Sequence, residues 1–213
     1  MDWYDHLSIV IISELEYMEK ENEIMAKIVI INGNPSLTSR LTAIIEYVEK
    51  ILETSGFEVS RIDVAKLPPE DLIHTKFESE YIVKANGLVA EADAVIIASP
   101  VYKASFTGVL KTFLDLIPEK GLAGKIMLPL FIGGSLAHLL AIDYSLKPVL
   151  SALGGRHILG GVYTVDSQVV RREDGGMDIA EELRLRLHDA LEELVKETSL
   201  RSEYKHTENE YKL

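Results

Sequence analysis

Lys27-Ile28-Val29-Ile30-Ile31-Asn32-Gly33-Asn34-Pro35-Ser36-Leu37-Thr38-Ser39-Arg40 is the stretch whose reading decides the fold. Ile28 to Ile31 is an unbroken β-branched run. A strand that faces solvent on one side alternates, so this one must be buried on both faces, as in a parallel sheet covered by helices. Asn32 to Ser36 then reads as a turn. Leu41, Ile44, Ile45, Val48, Ile51 and Leu52 follow at helical spacing until Gly56 stops them. Strand, polar turn and helix in that order form the first half of a β-α-β crossover.

Working outward, the same cycle recurs. Phe57 to Val64 reads as a strand and Tyr81 to Glu91 as a helix. Ala94 to Ala98 is a second wholly apolar strand, and Phe106 to Ile117 a helix closed by Pro118. Ile126 to Ile132 is strand-like, although Pro129 removes one backbone donor. Ser135 to Leu153 reads as a helix that Pro148 should kink or break. Ile158 to Val165 is a fifth strand and Ile179 to Thr198 a long amphipathic helix. Strands alternating with helices imply right-handed crossovers around a parallel sheet. The expected architecture is therefore α/β: a flavodoxin-like three-layer sandwich with a five-stranded parallel sheet. The expected domain spans residues 25–198. Residues 199–213 read as a polar, mobile tail. Residues 1–24 read as an extension ahead of Met25, or as a docking helix with Leu7, Ile11 and Leu15 on one face.

Composition narrows the chemistry. The 213 residues hold 34 acidic and 22 basic side chains, a formal charge of −12. That balance speaks against nucleic acid and against an anionic membrane surface as partners. No stretch approaches the ~20 apolar residues of a membrane span. Ile9 to Ile12 lacks the basic flank and cleavage site of a signal peptide, so the expected location is cytoplasmic. Cysteine is absent, which excludes thiol nucleophiles, thiolate zinc sites and cysteine-ligated clusters. The histidines show no ligand spacing, so no metal is expected. Redox chemistry would have to come from a borrowed cofactor.

In doubly wound sheets, ligands sit at the carboxyl ends of the strands, which singles out three loops. The first, Gly33 to Arg40, is neither G-x-G-x-x-G nor a P-loop. Its hydroxyls, arginine and helix N-terminus suit a terminal phosphate. It reads equally well as an ordinary helix cap by Thr38 or Ser39. The second, Ser99-Pro100-Val101-Tyr102-Lys103-Ala104-Ser105-Phe106-Thr107-Gly108, offers an aromatic wall and small residues for a flat ligand, or else a plain loop. The third, Ile132-Gly133-Gly134-Ser135, permits close backbone approach or is simply a tight turn.

The second loop, with Leu110-Lys111-Thr112, resembles the flavin-ring loop of the NADPH-dependent FMN reductase superfamily. Gly133 to Leu150, with its Asp143-Tyr144-Ser145-Leu146-Lys147-Pro148 run, resembles one subgroup closely: the FMN reductase of the alkanesulfonate-utilisation two-component monooxygenase system. Pro69 to Leu72 and Asp166 to Val169 add to it. The resemblance implies FMN reduced by NADPH or NADH in a homodimer or homotetramer, with a flavin-dependent monooxygenase as partner. It implies that Asn34, Ser36, Thr38, Ser39 and Arg40 hold the phosphate. The family commonly has Ser at the place of Asn34 and often Arg at that of Ser36, which leaves Arg40 as the expected charge. Pro100, Val101, Tyr102, Lys103, Gly133, Gly134 and Ser135 would line the ring. Asp166 to Gln168 would contact flavin or a neighbouring subunit. Tyr144 would lie in a π-helical insertion at a subunit interface and bear on catalysis by letting FMN act as a departing substrate. His138 reads as a packing or polar contact, since hydride transfer needs no protein base. Two rivals remain: a reductase of quinones, azo compounds or metal oxyanions with tightly held FMN, and a flavodoxin-type electron carrier with no nicotinamide site.

Overall fold

A computed structural model describes residues 26–36 and 38–210, with the backbone alone at 202–210. The expectations for residues 1–24 and for Leu37 lie outside the described residues.

Strand β1 (Lys27–Asn32) pairs in parallel with β2 (Glu58–Asp63) on one side and β3 (Ala94–Pro100) on the other. Next come β4 (Ile126–Gly133) and the two short segments β5 (His157–Ile158) and β6 (Val162–Val165), giving the spatial order β2-β1-β3-β4-β5, with β6 also on β4. Side chains alternate between two cores. Ile28 and Ile30 pack with Leu41, Ile44, Val48, Leu183, Leu187 and Leu191, and so against α1 (Arg40–Thr54) and α6 (Glu181–Glu210). Val29 and Ile31 pack with Ile82, Phe113 and Leu150, and so against α3 (Glu80–Glu91), α4 (Gly108–Leu114) and α5 (Lys147–Ala152). A one-turn helix, α2 (Pro69–Ile73), precedes α3. The three-layer sandwich is thus present, and it explains why the apolar runs are continuous.

The structure corrects the reading in four places. The fifth strand is not continuous from Ile158 to Val165. Ile158 pairs with Met127 and Val162 with Leu130, so four steps on one strand face three on β4. The break lies opposite Pro129, which turns its backbone to the same side as Met127 but has no N–H to offer. Second, Ser135 to Leu153 is not one kinked helix but a short 3₁₀ turn (Leu136–His138), a π-helix (Ile142–Leu146) and α5, with Pro148 inside the first turn of α5. Third, the last helix does not end at Thr198. It runs to Glu210, and Arg201 Nε donates to the Gly124 carbonyl at 2.5 Å. Fourth, an antiparallel hairpin of β7 (Val169–Arg171) and β8 (Met177–Ile179) follows β6. Among the described residues, no helix is long and apolar enough to cross a membrane.

Candidate active site

The first loop is shaped by a relay of amides. The Asn32 side chain donates to Asp63 Oδ1 at 2.9 Å, and its own Oδ1 accepts from the Asn34 backbone N–H at 3.1 Å. Asn34 Oδ1 then accepts from Ser36 N–H at 3.1 Å, and Asn34 Nδ2 donates to Ser39 Oγ. Ser39 caps α1, accepting from Thr42 N–H at 3.3 Å. Both buried asparagines therefore spend their amides on the loop itself, and Ser39 is the ordinary cap that the sequence also allowed. Left over are the hydroxyls of Ser36 and Thr38, which are exposed and have no hydrogen-bond partner among the described residues. Arg40 Nε donates to the Val169 carbonyl at 2.8 Å.

A single buried threonine ties the first loop to the second. Thr107 Oγ1 donates to the Gly33 carbonyl at 2.5 Å and accepts from Leu110 N–H at 3.0 Å, capping α4. Thr107 N–H in turn donates to Ser99 Oγ at 3.0 Å. Gly33 N–H donates to Ala98 O at 2.8 Å, so the loop leaves β1 pressed against β3. Beyond Pro100, Val101 N–H donates to Ile132 O at 2.8 Å. Tyr102 and Ser105 then close a turn whose central residues, Lys103 and Ala104, both have positive φ (51° and 66°). Neither is glycine, and left-handed backbone costs about 1–2 kcal/mol for such residues. Strain of this kind gathers where a backbone must present itself to a ligand. Tyr102 is exposed at its side. The third loop, Gly133-Gly134-Ser135, abuts the second: a Cβ on Gly133 would lie 3.5 Å from Val101 Cβ and would overlap the Tyr163 hydroxyl.

Three loops from the carboxyl ends of β1, β3 and β4 thus share one rim, with polar, cationic character at the β1 end and a flat, strained, aromatic wall at the β3–β4 end. The donor set suits a molecule with a phosphate at one end and a planar ring at the other. An open surface hollow of about 670 Å³ is lined by Asp71 and residues 75–81, none of which belongs to these loops. The family model for NADPH-dependent FMN reductases matches residues 26–169. The chain belongs to the NADPH-dependent FMN reductase family. It is 48% identical to an FMN reductase (NADPH) of Pseudomonas putida over 78% of this chain and 84% of that one. It is 44% identical to an FMN reductase (NADPH) of Escherichia coli K12 over 68% and 75%. Among solved structures, an apo NADH:FMN oxidoreductase (EMOB) superposes with a TM-score of 0.71 at 36% identity, covering 80% of this chain and 88% of that chain.

Set in this family of FMN reductases, the expected residues divide by what they touch. Ser36, Thr38 and Arg40 stand at the polar end. Asn34 and Ser39 hold that end in shape. Pro100, Val101, Tyr102 and Lys103 form the second loop, and Gly133, Gly134 and Ser135 the third. Tyr144 lies in the π-helix and is 79% exposed, beside exposed Leu136, Leu139 and Leu140. The π-helix has a local cause. Pro148 has no N–H for the Tyr144 carbonyl and would crowd it in an α-helix, so Lys147 N–H bonds back to Ile142 O instead. An Asp143–Lys147 ion pair at 2.6 Å spans the widened turn.

Three contributors escaped the sequence reading: Asn32, Thr107 and Tyr163. Thr107 had a legible signal, a threonine directly before a helix. Tyr163 did not, because its role depends on the β4–β6 pairing. Its hydroxyl donates to the Ser135 carbonyl at 2.8 Å and pins the third loop. Burial and then the Asp166 carboxylate push its pKa up, so it stays a donor at neutral pH. Tyr163→Phe is expected to cost about 1 kcal/mol of stability and to raise KM for FMN while leaving kcat nearly unchanged. Thermal melts and steady-state kinetics with FMN varied check this, and an unchanged KM counts against the pinning role.

Proposed function

We propose that this member of the FMN reductase family passes hydride from NADPH or NADH to FMN bound along the three-loop rim. The observation that carries the reading is the convergence of those loops. Hydroxyls without partners and guanidinium groups stand at the end of β1, and the strained Tyr102–Ser105 turn follows β3, the strand paired with β1, on the side of β4. FMN, when bound, supplies the electron-accepting ring that a chain without cysteine lacks.

The residues of the chain bind and orient. Ser36, Thr38 and Arg40 take the phosphate at the N-terminus of α1 by charge-assisted hydrogen bonds. The backbone of Val101 to Ala104 meets the ring edge, and Gly133 to Ser135 leaves room for a flat ligand to approach. Tyr102 walls the ring and excludes water from one side. No side chain needs to act as nucleophile or base, so the contribution to rate is positioning of two rings. The apolar face of Leu136, Leu139, Leu140 and Tyr144 is the surface by which copies of the chain assemble into a homodimer or homotetramer, placing Tyr144 where it eases flavin release. Reduced FMN then passes, in the cytoplasm, to a flavin-dependent monooxygenase.

The test is NADPH oxidation by purified protein with free FMN varied. Saturable, FMN-dependent turnover by colourless protein is expected. Absence of both FMN binding and turnover overturns the reading, and stoichiometric yellow protein favours a reductase that keeps its flavin. Tyr144→Ala is expected to retain flavin through purification and to lose FMN-dependent turnover.

A further inference from the structure

We propose that Arg171, from the β7–β8 hairpin, is a second cation for the FMN phosphate. The proposal rests on the reading of the rim as an FMN site. The hairpin is stitched to the first loop by two arginines pointing in opposite directions. Arg40 Nε reaches out to the Val169 carbonyl at 2.8 Å, and Arg171 Nη2 reaches in to the Thr38 carbonyl at 3.1 Å. Thr38 and Arg40 flank Ser39, the cap of α1, so both guanidinium groups stand at the phosphate end of the rim.

Strand alternation explains the direction. Val169 is buried against the core and Val170 is exposed, so Arg171 shares the inward side of β7 with Val169. Its neighbour Arg172 takes the acidic side chains of the hairpin, pairing with Asp174 at 3.1 Å and Asp178 at 3.0 Å. Neither Arg40 nor Arg171 has a carboxylate within 4.0 Å among the described residues, in a chain where acids outnumber bases by 34 to 22. A guanidinium carries five N–H donors, and Arg171 uses one on Thr38. One bond to an exposed carbonyl is a poor return for ordering so long a side chain. A dianionic phosphate seated on Ser36 and Thr38 would engage the remaining fork.

The test compares FMN with riboflavin, which has the same ring and no phosphate. Both are titrated into flavin-free wild type and Arg171→Gln, following quenching of flavin fluorescence. The variant is expected to bind FMN about tenfold more weakly, the scale of a lost charge-assisted contact, with riboflavin affinity unchanged. Adding Ser36→Arg to that variant, which returns a guanidinium from within the loop, is expected to restore the preference for FMN. If the glutamine variant does not fold, Arg171→Lys carries the test: it keeps the charge but not the fork, and should lose part of the preference. An unchanged FMN-to-riboflavin ratio in the folded variant, or equal loss of both flavins, overturns the proposal alone. Failure of the wild type to bind FMN overturns the reading of the rim as well.

Discussion

Gly33→Ala is expected to abolish FMN binding and to lower stability by about 3 kcal/mol, at the upper end of the cost of forcing atoms into a packed core. At roughly 2–4 °C per kcal/mol for a chain of this size, the melting temperature should fall by roughly 6–12 °C. A Cβ at Gly33 would overlap Leu110 Cβ and lie 3.1 Å from Leu110 Cα. These atoms belong to the backbone of α4 and its first side-chain carbon, so no rotamer change removes the overlap. Gly33 also holds the two loops together, through its N–H to Ala98 O and its carbonyl to Thr107 Oγ1. Moving α4 aside together with its cap Thr107 would strand the Gly33 carbonyl. Leu110→Ala should therefore fail to rescue Gly33→Ala, because it leaves Cβ in place. A melt showing recovery in the double variant would place the clash further along the leucine and defeat this account.

What the sequence made legible follows from which physical signal survives without tertiary context. Ile28 to Ile31 and Ala94 to Ala98 were readable because burial on both faces writes a continuous apolar run. The convergence of the three loops was readable because parallel topology fixes the end of the sheet at which they meet. Other features depend on partners distant in sequence. Pro129 was visible, yet its consequence falls on a different strand, splitting β5 from β6. Pro148 was visible as a helix breaker, but the helix widened instead of breaking. The hairpin strands β7 and β8 are three residues each, too short for any periodicity, so nothing marked Arg171 as a neighbour of Thr38. The polar composition after Thr198 suggested a loose tail. Glu, Lys and Arg are also good helix formers, and the Arg201 bond to Gly124 ties the continuing helix to the turn before β4.

The second large effect is expected at Asn32, one residue before that glycine. Asn32→Leu should lower stability by about 2–3 kcal/mol, the cost of leaving a buried donor unpaired, and should weaken FMN binding. Asn32 is buried, and its side chain stands between Asp63 and the Asn34 N–H. Leucine keeps the branching and the number of side-chain heavy atoms, so the chain outline is retained while both hydrogen bonds are lost. The same change should alter the response to acid. Burial on its own would raise the Asp63 carboxyl, but hydrogen bonds from Lys66 and Asn32 and the nearby Arg61 outweigh it and hold the pKa below the usual aspartate range. A folded-state pKa depressed in this way contributes stability at pH values above the unfolded aspartate value, ~3.9, and loses it as pH falls through the folded value. Removing Asn32 takes away one of the supports of that depression, so in the variant the loss should be smaller and complete at higher pH. Unfolding monitored between neutral pH and pH ~3 should show the wild-type and Asn32→Leu curves converging as the acid limit is approached. Parallel curves at constant separation would mean that Asp63 is uncoupled from the first loop, and that the relay from β2 through Asn32 and Asn34 to Ser39 does not act as a unit.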